Sequence, residues 1–126
     1  MAVNEALKAL AYAHEEYKKF EQKGDLLLLR DASEKAWLAV IIATDLLLMA
    51  SGMGKPSSYK ERKNMLRTLM AKEPKLAQLG IDDKFYARAY KLHILGFHEG
   101  ILDAEDIKEE LKKTEEYIKT IEKLIK

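Results

Sequence analysis

Apolar residues recur at spacings of three and four along the whole chain, and no stretch alternates apolar and polar positions long enough to predict a strand. The pattern predicts an all-α fold. A first helix is expected over Val3 to Gln22, where Leu7, Leu10, Ala13, Tyr17 and Phe20 share a face and Gly24 supplies a stop. Asp25 is placed to cap a second helix from Leu26 to about Ser51, amphipathic at first and apolar nearly all round after Trp37, as in a central bundle helix or an oligomer contact. The clearest loop holds Lys55-Pro56-Ser57-Ser58, with Ser57 or Ser58 as the cap of a third helix to about Lys72. Pro74 breaks that helix, Lys75 to Leu79 can form one short turn, and Asp82 is placed to cap a fourth helix over Asp83 to Glu99 that Gly100 ends. Asp103 caps the last helix, and Glu105 and Asp106 stand in its first turn, where the helix dipole favours acids. Its seam of Ile107, Leu111, Thr114, Ile118, Ile121 and Ile125 predicts a helical partner.

Composition narrows the chemistry. The chain has 126 residues, the length of one domain, so residues 1–126 are expected to form a single core without staples. The absence of cysteine removes thiol nucleophiles, redox pairs, disulfides and cysteine-ligated zinc. Three histidines remain. On an α-helix His93 and His98, five apart, point away from each other, and no HExxH spacing occurs, so no metal and no cofactor are expected. Gly52-Met-Gly54-Lys55-Pro56-Ser57-Ser58 follows a helix and lacks phosphate-loop spacing, and reads as a turn. The apolar run Ala36 to Ala50 falls short of the roughly 20 residues a bilayer needs, and no membrane association is expected. Met1 to Asn4 lead straight into charged amphipathic sequence without a signal-peptide pattern. A cytoplasmic protein is expected, and its preference for Lys and Glu points to a thermophilic source.

Three groups of residues remain as candidates for function. Arg30, Glu34, Trp37, Ile41, Asp45 and Leu48 lie along one line of the second helix, which makes Asp45 a candidate site carboxylate. The plainer alternative is an Asp45 satisfied by a neighbouring helix, with Arg30 and Glu34 as an ordinary surface pair. The fourth helix carries Arg88, Tyr90, His93, His98 and Glu99. Arg88 and His93 have the chemistry for metal-free RNA cleavage, with the His as general base and the Arg stabilising the phosphorane charge. On a continuous α-helix, however, five residues separate the two side chains by about 140°. His93 lies equally well in a packed aromatic stripe of Tyr86, Tyr90 and Phe97. Finally, the net charge of +1 hides a local excess: from Lys55 to Lys75 seven bases face two acids. Lys60, Lys63 and Arg67 share one helix face there, either as a nucleic-acid or anion-binding surface or as a solvated one.

Two stretches also carry a resemblance. Gly24-Asp25 followed by Glu34-Lys35-Ala36-Trp37-Leu-Ala39 resembles the first signature of the archaeal PaREP family, and Leu92-His93-Ile-Leu-Gly-Phe97-His98-Glu99-Gly100 resembles its second. That family is similar to the wider HEPN group of helical bundles. The resemblance implies an up-and-down bundle of four to five helices, dimeric through long helices, in a group that pairs with minimal nucleotidyltransferases or acts as RNases in toxin and defence systems. The RNase motif of that group has a polar residue where Ala89 stands here. Trp37 would anchor the second helix while Glu34 or Lys35 tethers a neighbour. The expectations are therefore a non-enzymatic interaction module, a homodimer binding a nucleotidyltransferase-like protein or RNA; a metal-independent ribonuclease using Arg88 and His93; or a small-ligand or nucleotide site built from Asp45, Tyr90 and His93.

Overall fold

The structure, a computed structural model, describes residues 3–126, so that Met1 and Ala2, the first half of the stretch expected to carry no leader, lie outside the described residues. The chain is all-α: α1 (Asn4–Lys23), α2 (Leu26–Ala50), α3 (Tyr59–Lys72), α4 (Pro74–Gln78), α5 (Ile81–Arg88), a π-helical segment (Ala89–His98) and α6 (Ala104–Ile125). No strand occurs among the described residues, and none of their helices is long and apolar enough to cross a membrane.

The helix ends follow local chemistry. Gly24 adopts a left-handed conformation (φ 70°) and returns its N–H to the Phe20 carbonyl, which closes α1. Asp25 then caps α2 by accepting from the Leu27 N–H at 3.0 Å. Ser58, the second of the two expected caps, accepts from Glu61 N–H, while Glu61 reaches back to the Ser57 N–H. Asp103 and Asp106 form a reciprocal capping box at α6. One expectation fails: α5 begins at Ile81, with left-handed Gly80 as its cap, and Asp82 sits inside the first turn.

α2 is the hub. It packs against α1, α6 and the π segment, and also touches α3 and α5. Its small residues Ala32, Ala36, Ala39, Val40 and Ala43 are fully buried, which lets the neighbouring helices come close on several sides. The α6 seam (Ile107, Leu111, Thr114, Ile118, Ile121) is buried within the same chain. The α6 seam and much of the apolar α2 thus pack within the chain, while Leu38 and Met49 of α2 stay exposed.

Polar groups within this core are all paired; no buried side-chain nitrogen or oxygen among the described residues lacks a hydrogen-bond partner. Asp45 takes two hydrogen bonds from Arg62 at 2.6 and 3.0 Å, fastening α3 to α2. Arg88 donates to both carboxylate oxygens of Glu110 at 2.7 and 3.5 Å, fastening α5 to α6. Thr44 Oγ1 donates its one proton to the Val40 carbonyl, so the 2.7 Å contact with Tyr117 requires the phenol to donate. Burial foremost, with the charge of Asp45 adding to it, raises the Tyr117 pKa far above its ordinary value and keeps that donor protonated.

Removing one member of a buried pair strands the other. Glu110→Ala, which leaves the Arg88 guanidinium buried without a carboxylate, is expected to cost about 3–5 kcal/mol by urea unfolding. The double change Arg88→Met with Glu110→Leu is expected to recover most of that loss, because an apolar pair of similar volume needs no counter-charge.

Candidate functional site

The site forms where α2 meets the π segment. A π-helix closes its turns i→i+5 instead of i→i+4, and such segments are frequent at functional sites. Here the Glu99 N–H donates to the Ile94 carbonyl at 2.8 Å, continuing that ladder past the end of the segment. The wider turn brings residues five apart into register. His93 and His98 therefore meet, with Nε2 atoms 3.1 Å apart and ring centroids 4.5 Å apart. This corrects the expectation that they point away from each other, which assumed 100° per residue along an unbroken α-helix.

Three residues of α2 hold the segment in place. Ser33 Oγ donates to the Leu92 carbonyl at 2.6 Å, in the space left by Gly96, where a Cβ would lie 2.0 Å from that same oxygen. Arg30 donates through Nε and Nη2 to the carbonyls of Phe97 and His98, both at 2.8 Å, satisfying acceptors at the segment's end. Glu34 Oε1 lies 2.8 Å from His93 Nδ1. Arg30 and Glu34 are thus not the surface pair their spacing permits: each reaches the π segment separately. Of the two tethers the first signature implies, both exist, since Lys35 also pairs with Glu16 of α1 at 3.1 Å.

The hydrogen-bond network assigns the proton positions. With Nδ1–H donated to the Glu34 carboxylate, the His93 Nε2 carries a lone pair facing His98. His93 is neither buried nor free: its side chain is 32% exposed, which leaves it reachable from solvent. Its ring lies between Phe97, stacked at 6.1 Å, and Trp37 at 5.9 Å.

Beyond His93 a pocket of about 440 Å³ opens, lined by Trp37, Ile41, Tyr59, Arg62, Tyr86, Ala89, Tyr90, His93 and Ile94. Its walls are largely aromatic, and they brace one another: Trp37 packs on Phe85 at 5.4 Å, and Tyr59 stacks on Phe85 at 6.1 Å. Burial raises the pKa of Tyr59 above its usual value, so this wall is a neutral phenol. A second cleft of about 410 Å³ adjoins it through Tyr59 and Tyr86 and is lined further by Lys63, Arg67, Met70 and Asp82.

The residues singled out in the sequence are distributed as follows. Tyr90 and His93 share the aromatic pocket, while Asp45 reaches it only through its partner Arg62. Lys63 and Arg67 line the adjoining cleft; Lys60 is exposed on the same helix outside it. Arg88 is paired with Glu110 and lines a different cleft, of about 550 Å³, with Lys113, Tyr117 and Thr120. Trp37, Tyr59 and Ser33 were not anticipated as site residues. Trp37 stood in the right polar line of α2, but Ser33 shows its role only once Gly96 is seen opposite it.

Fold and site together define a small all-α protein with an aromatic pocket backed by a carboxylate-oriented histidine pair. The family model of the archaeal PaREP1/PaREP8 family matches residues 14–118, which span α2 to the π segment, the second half of α1 and most of α6. The chain belongs to that family. Neither the curated proteins nor the solved structures give a match.

Gly96→Ala places a methyl group against Ser33, and overpacking of this kind costs about 1–3 kcal/mol. Thermal unfolding of Gly96→Ala should show that loss, and adding Ser33→Ala, which removes the hydroxyl nearest the new methyl, should restore part of it.

Proposed function

We propose that this chain is a non-enzymatic binding module whose ligand is a nucleotide, free or as one unit of a single RNA strand. The observation that carries the reading is the pair of adjoining cavities with common walls at Tyr59 and Tyr86, one aromatic and one bearing Lys63 and Arg67. A planar base fits the first, because aromatic side chains offer π-faces worth about 1–3 kcal/mol per stacked base. A phosphate attached to that base can turn toward the two cations of the second, with Asp82 the one acid among its lining residues. The pocket volume is that of ordinary small-molecule sites, about 300–1,000 Å³. His93 and Arg62 supply polar contacts at the pocket wall that can orient a base edge. The reading requires no second copy of the chain.

A ribonuclease reading draws on one specific feature, the orientation of His93 by Glu34, which is how a general base is held. It draws less from Arg88, whose guanidinium is engaged by Glu110. Incubating wild type and His93→Ala with single-stranded and structured RNA tests it: equal cleavage by both removes the reading.

Trp37 is the one tryptophan of the chain and lines the pocket, so its fluorescence reports occupancy directly. Saturable quenching by mononucleotides is expected, weakened about tenfold by Tyr90→Ala, a factor equivalent to about 1.4 kcal/mol and within the stacking range. Combined Lys63→Ala and Arg67→Ala should weaken nucleotides more than nucleosides and flatten the salt dependence. Unsaturable quenching, or affinities that ignore all three substitutions, would overturn the proposal.

A further inference from the structure

We infer that His93 and His98 form a two-imidazole site for a first-row divalent cation of the Zn²⁺ or Cu²⁺ kind, with Glu34 as the carboxylate that holds His93 in its ligating tautomer. The inference does not rest on nucleotide binding. Its first support is distance. Two Zn–N bonds of 2.0–2.1 Å at a tetrahedral angle separate their nitrogens by about 3.3 Å, and the two Nε2 atoms here are 3.1 Å apart. The second is orientation: the ring planes are inclined by 80° with centroids 4.5 Å apart, too close for the two nitrogens to face each other head-on. Across this contact His98 Nε2–H donates to the His93 Nε2 lone pair, and a cation that displaces that one proton meets a lone pair on each nitrogen.

The third support is the proton arrangement. A ligating histidine almost always donates its other ring N–H to a carboxylate or carbonyl, which fixes the tautomer and raises the basicity of the ligating nitrogen. Glu34 does this for His93 at 2.8 Å. The fourth is the backbone. His93 and His98 meet only because the segment between them is π-helical, and Ser33, Arg30 and Gly96 hold that segment from α2. The site is thus built by several elements and is not a chance meeting of two mobile side chains.

The site is an open one. No group of three His, Asp or Glu side chains that could hold a metal occurs among the described residues, so the remaining coordination positions fall to water or to an exogenous ligand. Imidazole nitrogens select Cu²⁺ and Zn²⁺ over Mg²⁺, which prefers oxygen.

Titration calorimetry of the full chain, stripped with a chelator, against ZnCl₂, CuCl₂ and MgCl₂ tests the inference. One Zn²⁺ or Cu²⁺ per chain and no Mg²⁺ uptake are expected, with Cu²⁺ the tighter. Electron paramagnetic resonance of the Cu²⁺ form should show two equivalent nitrogen donors. His98→Ala, at an exposed position, should weaken binding at least tenfold with unchanged circular dichroism, and Glu34→Gln should weaken it about 10- to 100-fold. His14→Ala, on the exposed face of α1, should change nothing. Absence of saturable uptake by wild type, uptake that survives His98→Ala, or uptake lost in His14→Ala would overturn the site.

Discussion

The close approach of Ser33 to the backbone of the π segment is the contact on which the rest of the arrangement depends. A hydroxyl bonded to the Leu92 carbonyl at 2.6 Å requires the two helices to meet nearly backbone to backbone, and Gly96 makes that possible. Once α2 lies this close, Arg30 on one side of Ser33 and Glu34 on the other fall within reach of the Phe97 and His98 carbonyls and of the His93 ring. Trp37, one turn further along α2, then forms the wall of the pocket. One face of α2 thus sets both the conformation of the segment and the chemistry it presents.

Elsewhere the core is tied by polar pairs that cost desolvation and return specificity of packing. The Asp45–Arg62 and Arg88–Glu110 pairs each join two helices through a bidentate contact that a slip of one turn would break. The hydroxyl pair of Thr44 and Tyr117 does the same for α2 and α6. Because Arg62 also lines the aromatic pocket, its pairing with Asp45 limits the charge that the pocket presents to a ligand.

Much of the fold was legible in the sequence because helix boundaries are local events. Gly24-Asp25, Ser58 and Asp103 announce their ends through the groups that satisfy unpaired backbone N–H and C=O. Where four or five helices were expected, the described residues form six and a π segment; the extra pieces are the short α4 and the division of the expected fourth helix at Arg88. That division is where legibility stopped. An i→i+5 ladder leaves no mark in hydrophobic periodicity, and what sustains it here is a serine and an arginine about 60 residues away in sequence. The polar line on α2 was visible, but its partners were not. The seam of α6 likewise reads as an invitation to any apolar helix, and sequence periodicity alone does not distinguish a partner in the same chain from one in another.

The π segment has one further consequence. A pairing of side chains that depends on the number of residues per turn is set by chain length as well as by residue identity. Loss of a single residue within Ala89–Leu92 would favour the ordinary i→i+4 ladder and leave the histidines five apart, turned about 140° from each other around the helix, whereas loss of one between them would leave them four apart and on one face. In this chain, then, the spacing between the two histidines and the helical ladder that carries it have to match for the rings to meet. A change in either one alone would keep both side chains and alter the surface they form.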